Sequence, residues 1–410
     1  MHIPHSDAGS DADGRPTADA PRAHARAGPM ASTLGLLAVI IVVMELTCRV
    51  DDWVVYRTPL LSRAGGVADL VVRDRDGMHG RSGVTFQKWK MNALGMRGPE
   101  AEAVAPRGTI RVVAAGASET FGQRESVDRE YPRQLEDTLT ARALGGVCGT
   151  GARRFEVLNA AFAGMSLPTI EQDVRLRVSR LRPDVVVIYP TPVQYLNDDA
   201  PVAAPRDSTA PHVLPVIGAV RLRVWERLRD QVKLLLPQRI QTWLRAKDLE
   251  AEIGRHSESW RFRTVPDDRL TQYESDLRTL IGSVRAIGAV PVLATHANIF
   301  MGQSVHDPDL LVTWQKFYPR ATAPVLIAFD SLARLATLRV GADSSVVTVD
   351  AAQEMAAAPR SAFVDFVHFS DDGAARIARV LSGGVLDAAR STGKCGARAP
   401  VGSTRPMPPE

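Results

Sequence analysis

Ser118, Asp365 and His368 have side chains suited to acyl-group chemistry. Ser118 follows the apolar run Ile110-Arg-Val-Val-Ala-Ala115 and the small residues Gly116 and Ala117. Asp365 and His368 stand three residues apart in Phe363-Val-Asp365-Phe-Val-His368-Phe369. A serine hydroxyl is a weak nucleophile at its free pKa and needs an adjacent base. An imidazole held by a carboxylate supplies one, and an Asp-x-x-His spacing can bring both side chains to one region. Each residue also has a plainer use: Ser118 as the N-cap of the next helix, Asp-x-x-His as a helix start. His296, just beyond the apolar run Val290–Ala294, would face the same rim as a hydrogen-bonded rim histidine or a substrate contact. No second His or Cys stands near it at ligand spacing, so neither a metal nor another cofactor is expected.

These side chains need a scaffold, and the pattern of apolar runs predicts one. Strands are expected at Ile110–Ala115, Phe155–Leu158, Val185–Tyr189, Val290–Ala294 and Val346–Val349. Val185-Val-Val-Ile-Tyr189 is apolar without interruption, which suits a strand covered on both faces. Helical stretches separate the runs, at about 128–144, 269–287 and 307–338, with a last helix ending near 389. Strands alternating with helices predict an α/β fold with a parallel sheet. Ser118 then falls at a strand's carboxyl end, where open α/β sheets bind ligands.

Residues 199–268 break this rhythm with two basic amphipathic segments, 220–236 and 239–253, separated by Pro237. Leu222, Val224, Leu228, Val232 and Leu235 recur at near-helical spacing. The segment is a helical insertion packed on the sheet or, given Arg221, Arg223, Arg227, Arg229 and Lys233, a helix lying on an anionic membrane.

Residues 1–29 hold almost no large apolar side chain and are expected to be disordered, as is the polar tail 391–410. Residues 30–48 form an apolar run just long enough to cross a bilayer. An uncleaved anchor fits better than a cleaved signal, because the run begins late and no small-x-small site follows it. Arg15, Arg22 and Arg26 precede the run, whereas Asp51 and Asp52 follow Arg49 at once. That asymmetry places the amino end in the cytoplasm and the bulk of the chain outside. Residues 49–107 read as an irregular lead-in. The 410 residues carry a net charge of +4 with no basic run interleaved with aromatics, so no nucleic-acid partner is expected. Cys48, Cys148 and Cys395 lie far apart, which excludes a zinc site or a disulfide framework but leaves room for one bridged pair.

The ordered region 108–390 resembles the SGNH/GDSL hydrolases. The resemblance rests on Gly116-Ala-Ser-Glu-Thr-Phe-Gly122, Asn159-Ala-Ala-Phe-Ala-Gly164-Met-Ser166 and Asp365-Phe-Val-His368-Phe-Ser370, in that order. Asn92-Ala-Leu-Gly-Met-Arg-Gly-Pro99 is similar to the lead-in of membrane-anchored bacterial members. The resemblance implies a three-layer α/β/α sandwich with a mainly parallel, flavodoxin-like five-stranded sheet. It also implies a Ser118–His368–Asp365 triad, with the backbone N–H groups of Ser118 and Gly164 as oxyanion donors. One block departs from the family: after the third strand, Tyr189-Pro-Thr-Pro-Val-Gln194-Tyr-Leu-Asn197 has no Gly-x-Asn. Gln194 or Asn197 is then the expected side-chain donor. The implied activity is a membrane-anchored serine esterase removing O-acyl groups from a carbohydrate or envelope component. An O-acyltransferase with the same residues and a non-catalytic carbohydrate-binding protein are the alternatives.

Overall fold

A computed structural model describes residues 29–62, 66–197, 222–301 and 307–396. The expected disorder of 1–28 and 397–410, and the first part of the insertion, lie outside these residues.

Five strands form one sheet: β1 (Thr109–Gly116), β2 (Arg154–Asn159), β3 (Val185–Tyr189), β4 (Val290–Ala294) and β5 (Val347–Val349). Their order is β2-β1-β3-β4-β5 and every pairing is parallel. Every residue of β1 and β3 is buried, so both faces of the central strands are covered. Each valine, isoleucine or leucine so placed contributes about 1.5–3 kcal/mol relative to full exposure. The fold is a doubly wound α/β sandwich of the flavodoxin strand order, the architecture of the SGNH hydrolases.

The helices form the outer layers. After α1 (Pro29–Tyr56) and the short α2 (Ser118–Phe121) come α3 (Tyr131–Leu144) and α4 (Leu167–Leu176). The insertion supplies α5 (Arg223–Leu235) and α6 (Gln238–Ile253), followed by α7 (Asp267–Ala286), α8 (Pro308–Phe317) and α9 (Ala323–Asp343). The chain closes with α10 (Ala351–Ala356) and α11 (Asp371–Ser391). Helices α3 and α11 pack together on one face; α4, α7 and α9 pack on the other. The sequence predicts one helical region over 307–338, and the structure breaks it between α8 and α9. Pro319 lies in the break and Pro324 opens α9, and neither can donate a backbone hydrogen bond.

Three further boundaries differ from the sequence reading. Helix α1 continues eight residues past 48, because Glu45, Arg49, Asp51 and Asp52 find partners instead of ending it. Its stretch Thr33–Tyr56 is long and apolar enough to cross a membrane, and its large apolar side chains stay exposed while Glu45 and Asp52 are buried. The lead-in is not wholly irregular: Val71–Asp74 pairs with Gly77–Gly80, and Thr85–Phe86 with Trp89–Lys90, as antiparallel hairpins. The tail is ordered to residue 396, because Cys395 forms a disulfide with Cys148 and ties the end of α11 to the end of α3.

Candidate active site

Strand β1 delivers Ser118 through a turn that requires glycine. A Cβ on Gly116 would lie 2.1 Å from Thr120 Oγ1 and 2.8 Å from the Tyr189 carbonyl oxygen. Ser118 is the first residue of α2, and Ala117 occupies the cap position, so the serine is not the N-cap. Its hydroxyl instead donates to Glu119 Oε2 at 3.2 Å. Arg97, from the lead-in, holds the far end of α2. Its buried guanidinium donates to the carbonyls of Phe121 and Gly122, both at 2.5 Å, and pairs with Glu130 at 3.0 Å.

Asp365 and His368 come from the loop before α11, which Ser370 caps through the Gly373 N–H. The pair is therefore free of capping duty. Asp365 Oδ1 accepts the backbone N–H groups of Val367 and His368, which fixes the carboxylate. His368 Nδ1 lies 2.9 and 2.8 Å from the two carboxylate oxygens. This places the ring proton on Nδ1 and leaves Nε2, which is buried and has no hydrogen-bond partner among the described residues. Burial pulls the His368 pKa down, but the Asp365 hydrogen bond and charge, with a contribution from Glu119, raise it above the ordinary value. Burial likewise pushes Asp365 up, and the His368 bond and charge bring it below the ordinary carboxylate.

Ser118, Gly164, Gln194, Asp365 and His368 all line one cavity of about 460 Å³. It lies beyond the carboxyl ends of β1, β2 and β3, where the winding reverses, the usual ligand position in such sheets. Its apolar wall is Leu310, Trp314 and Phe317 of α8 with Phe366, and Arg245 of α6 and Thr191 add polar groups. Gly164 has φ +82°, a conformation glycine adopts without strain. A Cβ there would meet nothing within 4 Å, so backbone conformation rather than crowding is what calls for glycine. Among the described residues, neither the Ser118 nor the Gly164 N–H enters an internal hydrogen bond, so both remain to receive an anion.

Two expected side chains are not in the cavity. Asn197 ends the short 3₁₀ turn Pro192–Leu196 and does not line it, whereas Gln194 does, as does Gln123 beyond α2. His296 is 1% exposed and is a core residue, not a rim residue. The strand-end position was readable, but the side chain is enclosed by Asp330, Glu119 and Tyr189. His296 Nδ1 lies 2.7 Å from Asp330 Oδ1, and Nε2 lies 3.3 Å from Glu119 Oε1. Asn298 donates to the other Asp330 oxygen at 2.6 Å. Burial would lower the His296 pKa, yet Asp330 and then Glu119 push it up to about 10. The imidazole is therefore a cation at neutral pH. Burial would raise Glu119, but the His296 bond and charge bring its pKa below the ordinary value.

Sequence reasoning missed Glu119, Asp330 and Arg97 as parts of this site. Glu119 carried a signal, a carboxylate directly after the serine, and Arg97 sits in the lead-in motif. Asp330, in mid-helix, carried none.

No protein-family model matches the chain, and no curated protein matches it. Solved structures do resemble it. A catalytic mutant of Axe2, an acetylxylan esterase from Geobacillus stearothermophilus, is 14% identical with a TM-score of 0.37, over 68% of this chain and 95% of that one. A G-D-S-L family protein from Desulfitobacterium hafniense is 12% identical with a TM-score of 0.36, over 67% and 98%. The lipase Lip_vut3 from a goat rumen metagenome is 10% identical with a TM-score of 0.39, over 67% and 97%. The fold itself stands on strand order and direction, not on these likenesses.

Proposed function

We propose that the protein is a membrane-anchored serine esterase that removes O-acyl groups, acetyl or similar, from a carbohydrate or envelope component outside the cytoplasm. The observation that carries this is the meeting of Ser118, Gly164 and the Asp365-held His368 on one cavity, with His368 Nε2 unpartnered.

In this mechanism Ser118 Oγ attacks the ester carbon while its proton passes to His368 Nε2. Asp365 keeps the ring in the tautomer that can accept it and stabilises the imidazolium. The carbonyl oxygen becomes an oxyanion held by the Ser118 and Gly164 N–H groups, with Gln194 as a further donor. Each such donor is worth about 2.7–4 kcal/mol of barrier. Collapse breaks the ester C–O bond, and the leaving alcohol takes the proton back from His368. Water then attacks the acyl-serine by the same route and releases the acid.

The anchor is favoured over a cleaved signal because the end of α1 belongs to the fold: Asp52 is buried against Arg223 of the insertion at 2.6 Å. The Cys148–Cys395 disulfide supports an oxidising compartment for the globular part.

The test is covalent labelling of the full chain with a fluorophosphonate, together with hydrolysis of a soluble short-chain acyl ester. Ser118→Ala is expected to lose both while keeping the wild-type melting temperature. Undiminished hydrolysis by that variant would refute the assignment. Acyl transfer to an added glycan without release of free acid would replace hydrolysis with transferase activity.

A further inference from the structure

The insertion between β3 and β4 carries apolar surface that the fold leaves bare. On α5, Trp225 is 66% and Leu235 80% exposed, with Leu228, and Leu222 just before the helix, also outside. On α6, Trp243 is 58% exposed, beside exposed Ile240 and Leu244. Scattered apolar side chains on a surface need no explanation; a large contiguous apolar patch marks an interaction site.

What this patch adjoins identifies its occupant. Helix α5 is bolted to the end of α1: Arg223 pairs with Asp52 at 2.6 Å, and Arg227 reaches Asp51 and Asp52, each at 2.5 Å. The Val224 N–H donates to Glu45 at 3.1 Å. Arg223 and Arg227, which the sequence offered to an anionic membrane, are thus turned toward α1. Trp225 and Leu228 remain exposed, as do Val50, Trp53 and Val54 of α1, the helix that α5 packs against. Tryptophan concentrates where a membrane protein meets the headgroups, and Trp53 supplies it on α1, Trp225 on α5 packed against α1, and Trp243 on α6, which follows α5 after Pro237. The cavity lies close by: α6 supplies Arg245 to its lining and packs against α8, whose Phe317 both lines the cavity and is exposed.

We propose that α5 and α6 rest on the bilayer that α1 enters, as a second membrane contact that holds the cavity at the lipid surface. The ester it receives is carried on a membrane-borne amphiphile; this part rests on the esterase reading above. An apolar helix face lying in the interface sinks about 5–10 Å, to the boundary of headgroups and acyl chains. That depth fixes the first experiment. Full-length protein in vesicles of brominated phospholipid is compared with Trp225→Phe and Trp243→Phe, reading tryptophan emission. Each variant is expected to lose a share of the quenchable emission. If the emission assigned to Trp225 and Trp243 is unquenched, the insertion stands clear of the bilayer and the proposal falls. The same result together with cross-linking of α5 to another protein assigns the patch to that partner instead.

A second arm reads function. In Trp225→Ser/Leu228→Ser/Trp243→Ser, hydrolysis of the acetyl ester of a long-chain alcohol held in the vesicles is expected to fall about tenfold, with a soluble short-chain ester hydrolysed as before. Equal rates in variant and wild type on both substrates would overturn the proposal. If the wild type hydrolyses neither ester, the esterase reading fails, while the quenching result still decides whether the insertion meets lipid.

Discussion

A carboxylate beside a nucleophilic serine could take the serine's proton or tune the group that does, and the surroundings of Glu119 decide for the second. His296, a cation bonded to Glu119, holds its pKa below the ordinary value, which makes it a poor base. His368 is raised, in part by the Glu119 charge, and is the better proton acceptor. Its base form is lost as pH falls through that raised pKa, so the acidic limb of kcat/KM is expected above the ordinary histidine value of about 6.5. Glu119→Gln should move the limb to lower pH, as read from rate–pH profiles on a soluble ester; an unmoved limb would remove Glu119 from the mechanism. Asp365→Asn takes away the tautomer lock and should cost roughly 10⁴-fold in kcat. The same network makes a stability prediction. The folded pKa of His296, about 10, exceeds the unfolded one, so its contribution is fully present below about 6.5 and is lost as pH rises to 10. Urea titrations across that window should show the decline in wild type and not in His296→Asn. The convergence of Ser118, Gly164 and Asp365–His368 was legible because each lies within a few residues of a strand or helix end. The Glu119 network was not, since its partners lie 177 and then 34 residues apart along the chain.

The strands were read nearly to the residue, because an unbroken apolar run in a doubly covered sheet has no competing use. The break between α8 and α9 was carried by Pro319 and Pro324, and the 3.6-residue period on either side masked it. The lead-in was hardest, since its order comes from two short hairpins and from scattered side chains such as Met78, Phe86, Trp89 and Met96 buried in the core, not from any period. Arg97 joins it to the Ser118 turn. It is almost wholly buried, caps two carbonyls at the end of α2, and neutralises Glu130. Burial pushes the Glu130 pKa up and Arg97 pulls it back. Arg97→Met would strand that carboxylate, and breaking one side of a buried pair costs about 3–5 kcal/mol. The loss should appear in the denaturation midpoint, with a disproportionate fall in ester turnover as the Ser118 turn loosens. Wild-type stability in the variant would mean that Glu130 finds another partner and that the clamp is dispensable.

At the scale of the whole molecule, one covalent link closes what the sheet leaves open. Helices α3 and α11 lie side by side on one face, though one follows the first strand and the other ends the described chain. The Cys148–Cys395 bond ties their ends across a sequence separation of 247 residues. Composition alone left room for one bridged pair among three cysteines; choosing it required knowing that β1 and β5 are followed by helices on the same face. Cross-linking a separation this long restricts the unfolded chain strongly, and loss of such a bridge typically costs about 2–4 kcal/mol. Cys148→Ser/Cys395→Ser should therefore melt well below wild type. A thiol reductant should bring wild type down to the variant and leave the variant where it was. This pattern separates the bridge from any packing change made by the serines, because reduction alters the wild type without altering its sequence. If reductant leaves the wild-type melting temperature untouched, the two thiols are not bridged in the protein as made. An oxidising compartment then has no covalent support, and the proposed placement outside the cytoplasm rests on α1 and its flanking charges alone.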